Sequence, residues 1–180
     1  MTAKLQKKID KIMKDEEYFK CVEDLLCSDP VKLMDEYVQH GSTSTLEHCI
    51  NVSYQLYKIS KKLKLDYKSS ARAGLLHDMF LYDWHSEPKA DSFFNQHGFT
   101  HAKTALDNAC KYFELNDKEK DIIEKHMWPL TLTKLPKYKE SFLITVVDKY
   151  TTSCEAIVPL AKKTANYALL VASMFYGIIH

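Results

Sequence analysis

Apolar residues recur at three- and four-residue steps along most of this chain, a spacing typical of amphipathic helices. The clearest stripe consists of Cys49, Val52, Leu56, Ile59 and Leu63. A second apolar face runs through residues 102–113. Gly and Pro number only four and five, and no stretch alternates between apolar and polar residues as a half-buried strand does. We therefore predict an all-α fold, a compact helical bundle.

Short polar residues mark where the helices begin, because their side chains can accept a hydrogen bond from the first turn. The predicted caps are Ser28 or Asp29 before Pro30, Ser44 with Glu47, Asp66, and Asn116 with Glu119. The stretch "HGSTSTLEH" predicts a turn, and segments 81–96 and 129–138 lose the helical pattern and are predicted loops. Small residues at Ala71, Ala73 and Gly74 should let a neighbouring helix approach closely.

Charge and cysteine content exclude several classes of protein. The formal net charge is +1, which gives no support for binding a nucleic-acid polymer. The five cysteines are odd in number and form no CxxC pair. Several, including Cys49 and Cys110, fall on apolar helix positions, so we expect reduced core thiols of a cytoplasmic protein. The N-terminus has no apolar stretch of the signal-peptide type.

A second set of residues does not fit the apolar pattern. They lie at helix ends or within apolar helices: His48, His77, Asp78, His97, His101, His126 and Asp148. A single buried histidine is more often a satisfied core residue than a ligand, and Asp148 taken alone suits an ion pair or a solvent-facing position. A buried His or Asp is nevertheless costly unless it is paired or bound to metal. A helical bundle can bring several such residues into one interior site.

The residue types in this set favour a divalent metal. Imidazole and carboxylate ligands together suit Mn, Fe, Co, Ni or Zn, and the lack of cysteine disfavours a structural zinc site. His77 and Asp78 in "GLLHDMF" point about 100° apart on an ideal helix. They can serve one metal from a helix end, or Asp78 can lean towards a second metal.

Three segments in order, "LEHCINV", "GLLHDMF" and "VVDKY", resemble the H…HD…D signature of the HD-domain superfamily of metal-dependent phosphohydrolases. The resemblance covers roughly residues 40–155 and implies an all-α fold of HD-domain type. It also implies that His48, His77, Asp78 and Asp148 are metal ligands.

Two further segments, "HGFTHAKTAL" and "EKHMWP", resemble the additional histidine segments of binuclear members. They add His97 and His126 as ligands, and Asp78 would then bridge two metals. His101 is either a ligand in place of His97 or a proton donor to the leaving group; we favour His97 as the ligand and assign Asp78 and His101 as catalytic. A GYP triplet is absent from the sequence, so specificity for cyclic dinucleotides has no support.

The resemblance predicts two divalent metal ions, drawn from Mn, Fe, Co, Ni, Zn or Mg. The expected reaction is hydrolysis of a phosphomonoester or phosphoanhydride in a small metabolite or nucleotide. Substrate contacts are expected from the two loops and the residue after Asp148: Trp84, His85, Lys89, Trp128 and Lys149. Trp128 suits a core lid equally well, and Lys149 a solvated lysine. The alternatives are a mixed-valent di-iron oxygenase with the same ligand order and a non-catalytic HD regulatory module.

The 180 residues suit one globule with three parts. We predict an N-terminal helical segment over residues 1–36 packed on the core, an HD domain over 37–155, and a C-terminal apolar helix over 156–180. The run "YALLVASMFYGII" is shorter than the roughly 20 residues of a membrane span. We therefore expect a buried terminal helix and no membrane partner; a homodimer formed through this helix is a variant.

Overall fold

The fold is all-α, as the sequence predicts. A computed structural model describes residues 3–12, 14–40, 43–83 and 97–157. The first helices are α1 (Ala3–Ile12), α2 (Glu16–Leu26) and α3 (Asp29–Leu33), followed by a 3₁₀ turn over Met34–Glu36. The later helices are α4 (Thr45–Lys62), α5 (Tyr67–Leu76), α6 (His97–Tyr112), α7 (Asp117–Lys125) and α8 (139–157).

A short antiparallel pair replaces part of the turn predicted before α4. Strand β1 covers Val38–His40 and pairs with β2, Thr43–Ser44. Two such short strands are too brief to show an alternating pattern, so they could not be predicted from the sequence. The backbone N–H of Thr45 donates to the carbonyl of Tyr37 at 2.8 Å and joins this pair to the start of α4.

Most of the predicted helix caps are confirmed. Asp66 accepts a hydrogen bond from the backbone N–H of Ser69 at 3.0 Å. Asn116 and Glu119 form the reciprocal capping box, and Ser44 accepts from the N–H of Glu47. Ser28 occupies the N-cap position of α3 but makes no capping bond, because its hydroxyl donates back to the carbonyl of Leu25 at 2.6 Å.

The close contact between α4 and α5 depends on Gly74, as the small residues predicted. A Cβ atom at this position would lie 2.8 Å from Leu56 Cδ1 and 2.9 Å from Ser53 Cα. Ser53 also donates to the carbonyl of Ala71 at 2.6 Å. The two helices therefore pack almost backbone to backbone. This packing brings the start of α4 next to the end of α5.

Several predicted core positions face solvent instead. Leu63 is 56% exposed because it lies just after the last turn of α4, where the buried stripe has run out. Cys27 and Cys110 are exposed, whereas Cys21 and Cys49 are buried. The prediction of core thiols is therefore wrong for Cys27, which lies just after the last residue of α2, and for Cys110, which lies on the exposed face of α6.

The N-terminal helices share the core with α4 and α5. The Tyr18 hydroxyl on α2 donates to Ser53 Oγ at 2.9 Å, and both side chains are buried. Arg72 on α5 forms a bidentate ion pair with Asp24 on α2. None of the helices in these described ranges has the length and apolar content that a membrane span requires. The predicted C-terminal helix and its variant, the dimer, fall outside the described residues.

Candidate metal centre

Two of the histidines stand at helix ends and are fixed in the same way. His77 directly follows α5 and His126 directly follows α7. The Nδ1 of His77 lies 2.9 Å from the carbonyl of Gly74, and that of His126 lies 2.8 Å from the carbonyl of Ile123. The last carbonyls of a helix lack a partner within the helix, so they accept these N–H groups. In each ring Nδ1 is thus held by a backbone carbonyl, and Nε2 is the nitrogen that faces the other residues of the cluster.

The Asp78 carboxylate lies between two pairs of histidines. Its Oδ2 is 3.4 Å from His77 Nε2 and 3.8 Å from His48 Nε2. Its Oδ1 is 3.3 Å from His101 Nε2 and 3.4 Å from His126 Nε2. Each pair forms with Asp78 a group whose ligand atoms all lie within 4.8 Å of one another. One carboxylate thus faces two candidate metal positions, one through each oxygen.

Asp148 joins the first of these groups from α8. Its Oδ1 lies 3.2 Å from His48 Nε2 and 3.7 Å from His77 Nε2. Helix α8 is tied to the neighbouring helices by hydrogen bonds from Ser141 to Asp121 and from Gln55 to Thr151. Asp148 therefore has a fixed position beside α4.

Helix α6 brings His101 to the second group. Asn108 on α6 donates to the carbonyl of Met79 at 2.8 Å, directly after Asp78 in the chain. Asn108 and His101 are seven residues apart and so project from nearly the same face of the helix. The bond made by Asn108 thus places His101 beside the Asp78 carboxylate.

Burial leaves two polar atoms of this cluster without hydrogen bonds. The ligand-bearing residues of both groups are buried, from 0% exposure for His48 and His77 to 8% for Asp148. His77 Nε2 and Asp78 Oδ1 have no hydrogen-bond partner of normal geometry within the described part of the chain. Unsatisfied buried groups of this kind are costly. A divalent cation bound by the imidazole nitrogens and the carboxylate oxygens would give both atoms a partner. The residues of the cluster therefore fit a metal site.

The electrostatics of the first group are those of a site for cations. Burial alone would lower the pKa of His48, but hydrogen bonds to Asp148 and Glu155 outweigh it and raise that pKa to about 10. Burial would raise the pKa of Asp148, yet contacts with His48 and His77 hold it well below its usual range. Protons on the imidazoles thus supply, in the metal-free protein, the positive charge that a metal would bring.

The second group differs, because one of its histidines stays neutral. Burial lowers the pKa of His126 to about 3, against the attraction of the Asp78 carboxylate. Burial would raise the pKa of Asp78, but the charge of His77 and the contact with His101 keep that pKa well below its normal value. The Asp78 carboxylate is therefore ionised and His126 is neutral, which are the protonation states that metal ligands need.

A comparison with protein-family models places this cluster in a known context. The model described as "HD domain" matches residues 45–153, more than half of the chain. This chain belongs to the HD-domain family. Members of the family are mostly metal-dependent hydrolases. Comparisons with curated proteins and with solved structures gave no match.

In this HD domain, the structure brings together most of the residues expected to bind metal. The described cluster contains His48, His77, Asp78, His101, His126 and Asp148. His97 begins α6, but its side chain lies outside the described residues. Its assignment as a ligand therefore stays a prediction.

The expected substrate-binding residues are only partly described. Trp84, His85 and Lys89 lie outside the described residues. The Trp128 ring packs edge-on against Phe142 at 5.5 Å between centroids, and Lys149 is exposed and donates to the carbonyl of Trp128 at 3.4 Å. Trp128 and Lys149 thus contact each other. Trp128 lies two residues after His126 in the chain, and Lys149 directly follows Asp148.

Two residues that contact the cluster were missed from the sequence. Gln39 on β1 donates from Nε2 to Asp78 Oδ2 at 2.6 Å, and Glu155 on α8 lies 2.9 Å from His48 Nδ1. Both fall outside the residues that the family model matches. The only signal for Glu155 was its spacing of seven from Asp148, which is two helical turns. Gln39 had no signal, since an amide before a turn is ordinary.

Proposed function

We propose that this HD domain is a metal-dependent phosphohydrolase that cleaves a phosphomonoester or phosphoanhydride of a small metabolite or nucleotide. The observation that supports it is the position of Asp78, whose two carboxylate oxygens face separate groups of buried histidines. Paired metals a few ångströms apart are a recurrent arrangement for displacement reactions at phosphorus. Family membership supports the same class of chemistry.

The proposed first metal position comprises His48, His77, Asp78 and Asp148. The proposed second position comprises Asp78, His101 and His126. Here His101 takes the place that the sequence favoured for His97, because His101 Nε2 lies 2.9 Å from His126 Nε2 and 3.3 Å from Asp78. His97 and His101 are four residues apart on α6, which corresponds to about 6 Å along the helix axis.

When bound, two divalent cations lower the pKa of a water molecule and offset the negative charge of the phosphoryl oxygens and the leaving group. The protein supplies the geometry. Backbone carbonyls orient His77 and His126, and Asp78 would supply a carboxylate oxygen to each metal position. Gln39 holds one oxygen of that carboxylate by its amide. These contacts keep the ligands in place without rearrangement during the reaction.

We assign substrate recognition to residues around the cluster. Lys149 carries a positive charge suited to a phosphate group, and Trp128 offers an aromatic ring for a base or an apolar group. Trp84, His85 and Lys89 of segment 84–96 are proposed to join them. The proposed substrate class is therefore a nucleotide or a sugar phosphate.

The test is a hydrolysis screen with the purified chain. Nucleotides and sugar phosphates are offered one by one, with Mn, Co, Ni, Fe, Zn and Mg tested separately, and released phosphate is measured. We expect turnover that depends on the metal and is abolished in Asp78→Asn, which keeps the shape of the side chain but removes the bridging charge. The matched control is Asp107→Asn on α6, since that carboxylate is exposed and pairs with Lys103 one helical turn away.

Two results would contradict the proposal. The absence of turnover with every metal and substrate of the panel, for a chain that binds metal, would exclude the hydrolase assignment over that range. Oxygen consumption by the iron-loaded protein, together with an iron electron paramagnetic resonance signal, would indicate the di-iron oxygenase instead.

A further inference from the structure

Two carboxylates of one helix contact opposite nitrogens of the His48 ring. Glu155 Oε2 lies 2.9 Å from Nδ1, and Asp148 Oδ1 lies 3.2 Å from Nε2. The two acidic residues are seven positions apart on α8, so they project from nearly the same face of the helix. The imidazole on α4 lies between them, with its whole side chain buried.

Glu155 is itself fixed in place. Its second oxygen, Oε1, accepts a hydrogen bond from Asn51 Nδ2 at 2.6 Å, and its side chain is only 11% exposed. Asn51 and His48 are three residues apart on α4, so both oxygens of Glu155 contact the same helix. This carboxylate therefore has one orientation rather than the many of a surface glutamate.

His48 needs a side chain as acceptor because of its place in α4. His77 and His126 donate Nδ1–H to carbonyls in the last turns of α5 and α7, which have no partner within the helix. His48 lies in the first turn of α4, where the carbonyls accept bonds from the N–H groups of the next turn. A backbone acceptor of the same kind is therefore missing at this position, and Glu155 supplies the oxygen.

We infer that Glu155 is a positioning residue of the metal centre, which accepts Nδ1–H from His48 and so directs the lone pair of Nε2 to the first metal. This inference rests on the metal positions of the proposed function. A carboxylate that orients a histidine ligand in this way fixes its tautomer and its ring rotation. Glu155 lies beyond the residues that match the HD-domain model, so family membership does not supply it.

The test compares metal binding in Glu155→Ala, Glu155→Gln and the unaltered chain, by competition with a coloured chelator. The alanine variant should lose about 10- to 100-fold in affinity at one metal position, as other losses of such an orienting group do. The glutamine variant keeps an acceptor oxygen and should recover most of that loss. Glu23→Ala serves as the matched control, because it removes the same charge from an exposed position on α2.

A spectroscopic measurement separates positioning from a general effect on folding. In the Co²⁺-loaded protein, the proton NMR spectrum should show shifted, exchangeable imidazole N–H signals, one for each ligand that donates from Nδ1. In Glu155→Ala one of these signals should exchange faster with water, while the signals of His77 and His126 remain. Thermal unfolding of the metal-free variants gives the fold control.

The outcomes distinguish this inference from the function proposed above. If Glu155→Ala binds metal as tightly as the unaltered chain and keeps every N–H signal, Glu155 does not position His48. An equal loss in Glu155→Gln and Glu155→Ala would also overturn the role as an acceptor. If the unaltered chain binds no divalent metal, the metal centre itself is wrong. An absence of phosphatase activity with normal metal binding affects only the proposed reaction.

Discussion

The Nε2 atoms of His101 and His126 lie 2.9 Å apart, within hydrogen-bond distance of each other. His126 already uses Nδ1 as a donor to the carbonyl of Ile123, and burial keeps its ring neutral. His126 Nε2 is therefore the acceptor, and His101 Nε2 carries the proton between them. Metal binding at this position would require the loss of that proton, so that Nε2 of both rings could serve as ligand atoms.

The choice between His101 and His97 can be decided by metal stoichiometry. We expect His101→Ala to lose one of the two bound metals, because its Nε2 belongs to the group that includes Asp78 and His126. His97→Ala should keep both metals. Inductively coupled plasma mass spectrometry of the dialysed variants measures the ratio. The reverse pattern would restore His97 as the ligand and leave His101 as a proton donor.

The two metal positions should fill in sequence. The first position has two carboxylates, Asp78 and Asp148, whereas the second shares only Asp78. More ligand charge gives tighter binding of a divalent cation. Calorimetric titration should therefore show two phases, and Asp148→Asn should weaken the tighter one by about 10-fold or more, a loss of about 1.4 kcal/mol. A single phase with identical affinities would contradict this order.

Metal affinity should rise with pH. In the metal-free protein the pKa of His48 is raised to about 10, so this ring is protonated at neutral pH and metal has to displace its proton. Raising the pH towards that value removes the competing proton, and affinity should rise by about tenfold per unit for each proton released. Calorimetry in two buffers of different ionisation enthalpy counts the protons. Binding without proton release at neutral pH would show that His48 is not a ligand.

Replacement of Gly74 should destabilise the contact between α4 and α5. A Cβ atom in Gly74→Ala would meet Leu56 Cδ1 and the backbone of Ser53 at under 3 Å. Overpacking of this kind costs about 1–3 kcal/mol, and the better helix propensity of alanine returns about 1 kcal/mol. We expect a net loss in the free energy of unfolding, measured by urea denaturation. Lys68→Ala, exposed on the same helix, is the control and should change stability little.

Helical periodicity was enough to predict the fold class, because it arises from local geometry that each segment carries in itself. The caps at Asp66 and Asn116 were readable for the same reason. The exposure of individual residues was harder to predict, because Leu63 and Cys110 continue their apolar stripes but face solvent. A stripe shows which face of a helix is apolar, and it does not show where the neighbouring helix ends.

The sequence alone determined the helices and the order of His48, His77, Asp78, His126 and Asp148, which the fold brings together. Tertiary packing decided which residues contact that cluster. His101 and Glu155 enter it because α6 and α8 have particular rotations against Asp78 and α4, set by contacts such as that of Asn108 with Met79. Gln39 enters because a strand pair too short to leave a pattern places it over Asp78. Such contacts join residues distant in the chain, so no local spacing encodes them.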